Sequence, residues 1–321
     1  MTEAMRPQPE EIVLYAKDPK TRIATITLNR PDALNAPTIA ARLRFADLVH
    51  RANVDDEVKV LVIRGEGKHL GSGADLPEQS EMLSPNSNVS LLHEFRIPDD
   101  GSVKYPPNGS YRYLASITNL YANADYGCRS LQSFKKISIL ECKGYVYGWH
   151  FYLAADADIV VSADDALFGH AAFRYVGWGP RLWQWAEMMG PRKFAEMLFT
   201  GRPFTAAEME RCNFLNSVVP REALEAETAK YAHACSITRP NDVVTMQKTF
   251  FELYKQYRGE YFGSVLTGMV ESLLPVVTND AADDLTLGDE TFEKGLNNAV
   301  KDNDSRYPAD WRLSFGGRKK P

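Results

Sequence analysis

In "RIATITLNRP" apolar and polar positions alternate through Ile23, Thr25, Ile26 and Leu28, which predicts a strand stopped at Pro31. The next stretch, "TIAARLRFADLVHRANVDD", places Ile39, Leu43, Ala46 and Leu48–Val49 near helical spacing and reads as an amphipathic helix. "VKVLVIRGEG" is a short apolar run ended by glycine, as a buried strand would be, and "KKISILECKGY" is a second strand. "WHFYLAADA" follows as a helix, and "DIVVSADDALFGH" as two short strands joined by the turn-like Ala163–Asp165. Strands alternating with helices over two thirds of the chain predict an α/β fold.

Between Leu76 and Leu131 the pattern breaks. "SEMLSPNSNV" and "RIPDDGSVKYPPNGSYRY" are rich in Pro, Gly, Asn and Ser with interleaved tyrosines, which predicts a long, partly irregular insertion. From Pro220 onward the sequence is mostly helical, as in "EALEAETAKYAHACS", "NDVVTMQKTFFELYKQYRG" and "YFGSVLTGMVESLL". No internal repeat or clear linker divides the chain. One main domain is expected, a core over 12–220 with an insertion at about 77–130, followed by a helical region over 221–321.

Composition narrows the function classes. The 321 residues suffice to bury a large core, and 44% hydrophobic with 25% charged residues is ordinary for a soluble globular protein. A net charge of −5 gives no global field that favours nucleic acid or an anionic membrane, so neither is expected as a partner. Cys128, Cys142, Cys212 and Cys235 lie far apart and form no CxxC pair, which disfavours disulfides or a zinc site. The start "MTEAMRPQPEE" is polar with no apolar h-region, and no apolar run approaches the roughly 20 residues of a membrane span. A cytoplasmic location is expected.

Two glycine-marked turns carry the candidate chemistry. "HLGSGADLPE" follows the apolar run Val60–Arg64, and its Gly71 and Gly73 allow a tight turn and close approach to a ligand, with Asp75 suited to cap a helix. "GYVYGWHFYL" turns at Gly148 into a helix that opens with Trp149, His150, Phe151 and Tyr152. Amides at a helix start carry positive partial charge and attract an oxyanion. Two of them facing one carbonyl oxygen would make an oxyanion hole.

The segments "ATITLNRPDALNA", "KVLVIRGEGKHLGSGADL", "GYVYGWHFYLAADADIVVSADDALFG" and "FTGRPFTAAEMERCNFLNSVVP" occur in the order and spacing of the crotonase superfamily, which includes the enoyl-CoA hydratases and isomerases. The chain resembles that family over roughly residues 20 to 220. The resemblance implies a spiral of ββα units, a homotrimer or hexamer, and an acyl-CoA thioester substrate with coenzyme A as part of the substrate and no separate cofactor or metal. It carries the two oxyanion amides onto Ala74, beside Gly73, and Trp149, after Gly148. It carries the coenzyme A groove onto the Asp32–Ala36 loop, with Ala33, Leu34 and Ala36. "DETFEKGLNNAVKDNDSRYP" resembles the family's C-terminal assembly helix.

The departures from the family pattern lie at the acids. The hydratases' two glutamates would fall on Tyr152 and on Ala172, or on Phe173 with a one-residue slip, and none of these is an acid. A phenol with a reference pKa of about 10 is a poor base at neutral pH, whereas histidine titrates near neutrality. His170 enters the loop of the second glutamate and is the preferred base. His150 is the second candidate, although adjacent helical residues diverge by about 100° and one of the pair Trp149–His150 is expected to face the core. His69 and His93 are weaker candidates. Asp158 reads as structural. Arg174, Arg181 and Trp178 suggest a bulky or ring-containing acyl group with a carboxylate, while Trp183 and Trp185 read as helix packing. The expected activity is enolate stabilisation on an acyl-CoA, similar to the hydratases and isomerases but without both glutamates. The alternatives are a C–C bond hydrolase of a β-diketone or cyclic oxoacyl-CoA, using His150 and His170, and a non-catalytic acyl-CoA-binding subunit. Acids of the insertion (Glu78, Glu81, Glu94, Asp99, Asp100) are the reserve source of a proton carrier.

Overall fold

A computed structural model describes residues 7–83, 92–107, 110–174, 177–271 and 295–318. Nine strands run along these residues: β1 (Val13–Asp18), β2 (Ile23–Leu28), β3 (Val60–Gly65), β4 (Ile137–Cys142), β5 (Tyr145–Tyr147), β6 (Ile159–Ala163), β7 (Leu167–Gly169), β8 (Phe204–Thr205) and β9 (Ser217–Val219). The larger sheet has the order β1-β2-β3-β4-β6-β9; it is parallel except for β1, which pairs antiparallel with β2 at the edge. The smaller sheet has the order β5-β7-β8, and Gly71 adds to it by a parallel bridge to Val146.

The helices are α1 (Pro9–Ile12), α2 (Ile39–Val54), α3 (Leu76–Leu83), α4 (Tyr111–Ala122), α5 (Trp149–Asp156) and α6 (Leu182–Met189). They continue as α7 (Pro191–Thr200), α8 (Ala206–Arg211), α9 (Leu224–Ile237), α10 (Asn241–Tyr257), α11 (Glu260–Glu271) and α12 (Leu296–Ser305). Successive turns lay one strand in the large sheet and one in the small sheet before a helix. The β4-β5-α5 unit is the clearest case of this ββα spiral.

The parallel strands are covered on both faces. Ile26, Leu61, Ile63 and Leu140 pack with Phe45 of α2, while Val60, Val62, Ile139 and Val161 pack with Leu224 and Ala232 of α9. Two covered faces explain why β3 is an unbroken apolar run rather than an alternating one. Thr38 caps α2 by accepting from the Ala41 N–H at 3.2 Å.

The segment expected to be irregular contains a regular helix. Ser110 caps α4 by accepting from the Tyr113 N–H at 3.2 Å, and α4 lies against α11. Its tyrosines and threonine are indifferent helix formers, so tertiary contact with α11 decides the conformation. Residues 84–91 and 108–109 of that segment lie outside the described residues.

The tail after α12 folds back over the small sheet. Tyr147 Oη donates to the Leu313 carbonyl at 2.8 Å, and the Phe315 N–H donates to Tyr145 Oη at 2.8 Å. Arg174 holds the same tail through Asp304 at 2.8 Å and the Trp311 carbonyl at 2.7 Å. Of these contacts, the one between Asp304 and Arg174 falls in the described part of "DETFEKGLNNAVKDNDSRYP" and lies within its own chain; residues 289–294 lie outside the described residues.

Candidate active site

The two glycine-marked turns meet at one point. Gly73 has φ +106° and Gly148 has φ +55°, backbone that favours glycine. A Cβ added to Gly148 would fall 3.0 Å from Gly73 Cα, 3.9 Å from the Ala74 nitrogen and 3.7 Å from His170 Nδ1. Any side chain at Gly148 would therefore fill the space where both turns and a histidine converge. Trp149 is the first residue of α5, so its N–H has no intrahelical acceptor. Among the described residues, neither the Ala74 nor the Trp149 N–H has a hydrogen-bond acceptor within the chain.

Each turn is fixed from behind. Asp75 accepts from the Glu78 N–H at 3.0 Å, capping α3 as its position predicts. Its other oxygen pairs with Arg30 at 2.5 Å, and Arg30 also donates to the Ala36 carbonyl at 2.9 Å. Trp149 sends its indole away from the convergence point, donating to the Gly127 carbonyl at 2.7 Å and meeting Phe45 edge-on. Its contribution to the site is its backbone amide.

The Asp32–Ala36 loop is tied to the same place. Leu34 and Asn35 take left-handed backbone at φ +54° and +55°, and the Leu34 carbonyl accepts from the Ser72 N–H at 3.0 Å. Asn35 is buried and donates to the Glu66 and His69 carbonyls at 2.9 Å each. Ala33 and Leu34 reach the surface, while Ala36 is buried. Asn35 escaped the reading of the sequence because its amide donates to two carbonyls more than thirty residues away in the chain.

His150 is fully buried and joins these two loops. Its Nδ1 accepts from the Gly73 N–H at 3.2 Å, and its Nε2 lies 3.1 Å from the Asn35 carbonyl. An accepting Nδ1 requires the proton on Nε2, which then donates to Asn35. Burial lowers its pKa to about 4, so the ring is neutral around pH 7. With both nitrogens committed to backbone, His150 braces the Gly73 turn from outside the convergence point; the expectation that it moves a proton there does not fit these contacts. A Cβ at Gly71 would overlap the His150 ring at 2.1 Å, so this histidine fits only beside a glycine.

His170 keeps part of its surface accessible and faces the convergence point. Its Nε2 lies 3.4 Å from Tyr152 Oη, and Phe173 and Trp185 surround the ring. Burial lowers its pKa to about 4, close to the reference value of an ordinary glutamate. Tyr152 and Phe173 thus both meet a neutral imidazole with the proton affinity of a carboxylate.

Several of the remaining candidates are engaged elsewhere. His69 Nδ1 accepts from the Tyr145 N–H at 3.0 Å and its ring stacks on Tyr145. Arg174 commits all its nitrogens to Gly201, Asp304 and Trp311, so it is not free to hold an acyl carboxylate. Asp158 bonds Ser138 and pairs with Lys248, a structural role as expected. Trp185 stacks on Phe151 at 4.5 Å, and Trp183 packs against Gly263. In the insertion, Glu78 accepts from the Ile39 N–H at the start of α2, and Glu94 pairs with Arg42.

Comparison with known proteins places this geometry in a family. The enoyl-CoA hydratase/isomerase family model matches residues 112–262. The chain is 30% identical over 255 residues to enoyl-CoA hydratase domain-containing protein 3, mitochondrial, of Mus musculus, covering 75% of this chain and 71% of that one. It is 26% identical over 230 residues to the putative enoyl-CoA hydratase EchA13 of Mycobacterium tuberculosis, covering 71% and 69%. A crystal structure of enoyl-CoA hydratase from Mycobacterium smegmatis shares the fold with a TM-score of 0.72 at 23% identity, covering 92% of this chain and 94% of that one. With its ββα spiral and paired glycine turns, the chain belongs to the enoyl-CoA hydratase/isomerase family of the crotonase superfamily.

Proposed function

We propose that this protein forms an enolate from an acyl-CoA thioester, with His170 as the base and the Ala74 and Trp149 amides as the oxyanion hole. The observation that carries the reading is the meeting of the Ala74 amide and His170 Nδ1 beside Gly148, the residue before Trp149, where neither the Ala74 nor the Trp149 N–H has an acceptor among the described residues. Removal of a proton beside the thioester carbonyl moves negative charge onto its oxygen. Each preorganised amide stabilises that charge by about 3 kcal/mol. A neutral imidazole takes the proton without first being deprotonated, and Tyr152 Oη orients the substrate or a water beside it. The Asp32–Ala36 loop, through Ala33, Leu34 and Ala36, lines the coenzyme A groove. The scheme calls for no metal and no cofactor beyond the coenzyme A of the substrate.

The hydrolase reading retains His170 and Tyr152 but draws on His150, whose nitrogens are already bonded. The binding-subunit reading leaves the His170–Tyr152 pair without a purpose. For location, we favour the cytoplasm; among the described residues no helix is long and apolar enough to cross a membrane. For assembly, we favour a homotrimer or hexamer, supported by apolar side chains exposed on α10 and α11, among them Phe250, Leu253, Tyr257 and Phe262.

Turnover of straight-chain, branched and cyclic acyl-CoA thioesters by the native protein and His170→Gln tests the reading. His170→Gln is expected to lower turnover by about 10²–10⁴-fold with little change in affinity, and Tyr152→Phe to cost less. Equal turnover by the native protein and His170→Gln would remove His170 from the role of base.

A further inference from the structure

Beneath Tyr152 lies a buried polar group that the enolate scheme does not use. Asp156 stands four residues after Tyr152 on α5 and so on the same face of that helix. It pairs with Arg181, which is fully buried at the start of α6. Two residues before Arg181, Gly179 lies against the base, since a Cβ there would fall 2.7 Å from His170 Cδ2. Arg129 and Glu260 pair at 3.2 Å beside them, with Glu260 also 3.9 Å from Arg181. Gln184, one turn into α6, donates to Ser264 Oγ at 3.2 Å.

Several atoms of this group have no hydrogen-bond partner. They include two donors of Arg181 (Nε and Nη1) and the acceptors Asp156 Oδ2 and Gln184 Oε1, all on buried residues. Protein interiors pair nearly all such atoms, and a purely structural ion pair is readily replaced by apolar packing. The charges balance, Arg129 and Arg181 against Asp156 and Glu260, so a carboxylate ligand would leave one negative charge in excess. A hydroxyl group, which both accepts and donates, matches unpaired donors and acceptors standing together.

We infer that Arg181, Asp156 and Gln184 form a subsite for a hydroxyl group carried on the far part of the acyl chain. This rests on the acyl-CoA reading above. Asp156 lies roughly 10 Å along the helix axis from the Trp149 amide, which corresponds to a medium-length or ring-bearing acyl group. The hydroxyl accepts from Arg181 and donates to Asp156 or Gln184. This replaces the carboxylate-bearing acyl group suggested by the arginines in the sequence.

Calorimetry with octanoyl-CoA and ω-hydroxyoctanoyl-CoA, neither of which has a double bond to hydrate, tests the subsite. The native protein is expected to bind the hydroxylated thioester about tenfold more tightly. The preference should fall toward equality in Arg181→Lys, which keeps a cation beside Asp156 but removes the guanidinium donors. It should also fall in Gln184→Met, which leaves the ion pair untouched and so serves if Arg181→Lys does not fold. Equal affinity of the native protein for both thioesters overturns the subsite, assigns these atoms to buried water, and leaves the acyl-CoA reading standing. A preference that survives in both folded variants also overturns it. Binding of neither thioester removes the acyl-CoA reading and this inference with it.

Discussion

Replacing His150 by leucine removes the acceptor of the Gly73 N–H and the donor to the Asn35 carbonyl. Each loss strands a buried backbone group, so His150→Leu is expected to cost roughly 3 kcal/mol of stability at pH 7. The same ring sets an acid limit together with His170. Both have folded pKa values of about 4, below the unfolded value of about 6.5, so the unfolded chain binds more protons between these values. Stability is therefore complete above about pH 6.5 and falls as the pH drops toward 4, by on the order of 3 kcal/mol for each histidine. Urea unfolding across that range checks both statements: the native protein should lose stability steeply, and His150→Leu should start lower and slope less. A native stability that is flat from pH 7 to pH 4 would contradict the lowered pKa values of these two imidazoles. The sequence makes His170 legible as a base candidate because it follows a strand and enters the loop where the resemblance places the second acid. It does not reveal that His150 points backward, since that depends on Gly71 and Asn35 leaving room for a ring between two loops.

At the scale of elements, β2, β3, β4 and β6 of the large sheet are legible as apolar or alternating runs, while its edge strands β1 and β9 are not; α2, α5 and α9–α11 are legible as helical stretches. Helix α4 is not, because Pro, Gly, Asn and Ser crowd the sequence just before it and mask a short helical stretch. The C-terminal region shows the same distinction. Its resemblance to an assembly helix points at 289–308, yet Asp304 there binds Arg174 of the same chain. Among the described residues, exposed apolar side chains cluster on α10 and α11, with Phe250 61% and Tyr257 89% exposed on α10 and Phe262 63% exposed on α11. Apolar side chains clustered in this way mark an association surface. Phe250→Asp combined with Tyr257→Asp is therefore expected to shift sedimentation from trimer or hexamer to monomer. A native monomer at micromolar concentration, or an unchanged assembly in the double variant, would contradict that placement.

For the whole molecule, the spiral brings residues from the Asp32–Ala36 loop, the Gly73 turn, the start of α5 and the end of β7 to one place. Order and spacing along the chain make the family legible, since the backbone turns are kept even though Tyr152 and Ala172 (Phe173 with a one-residue slip) stand where the resemblance places acids. Side-chain direction and the buried polar group under Tyr152 are not legible that way, because they arise from contacts across more than twenty residues of chain. The central claim is that this framework generates a thioester enolate, and exchange of the protons beside the thioester carbonyl measures that step directly. Octanoyl-CoA incubated with the protein in deuterium oxide should gain deuterium at the carbon next to the carbonyl, at a rate that falls by about 10²–10⁴-fold in His170→Gln. Tight binding of octanoyl-CoA with no exchange above the uncatalysed rate would contradict the account and leave a protein that holds acyl-CoA without acting on it.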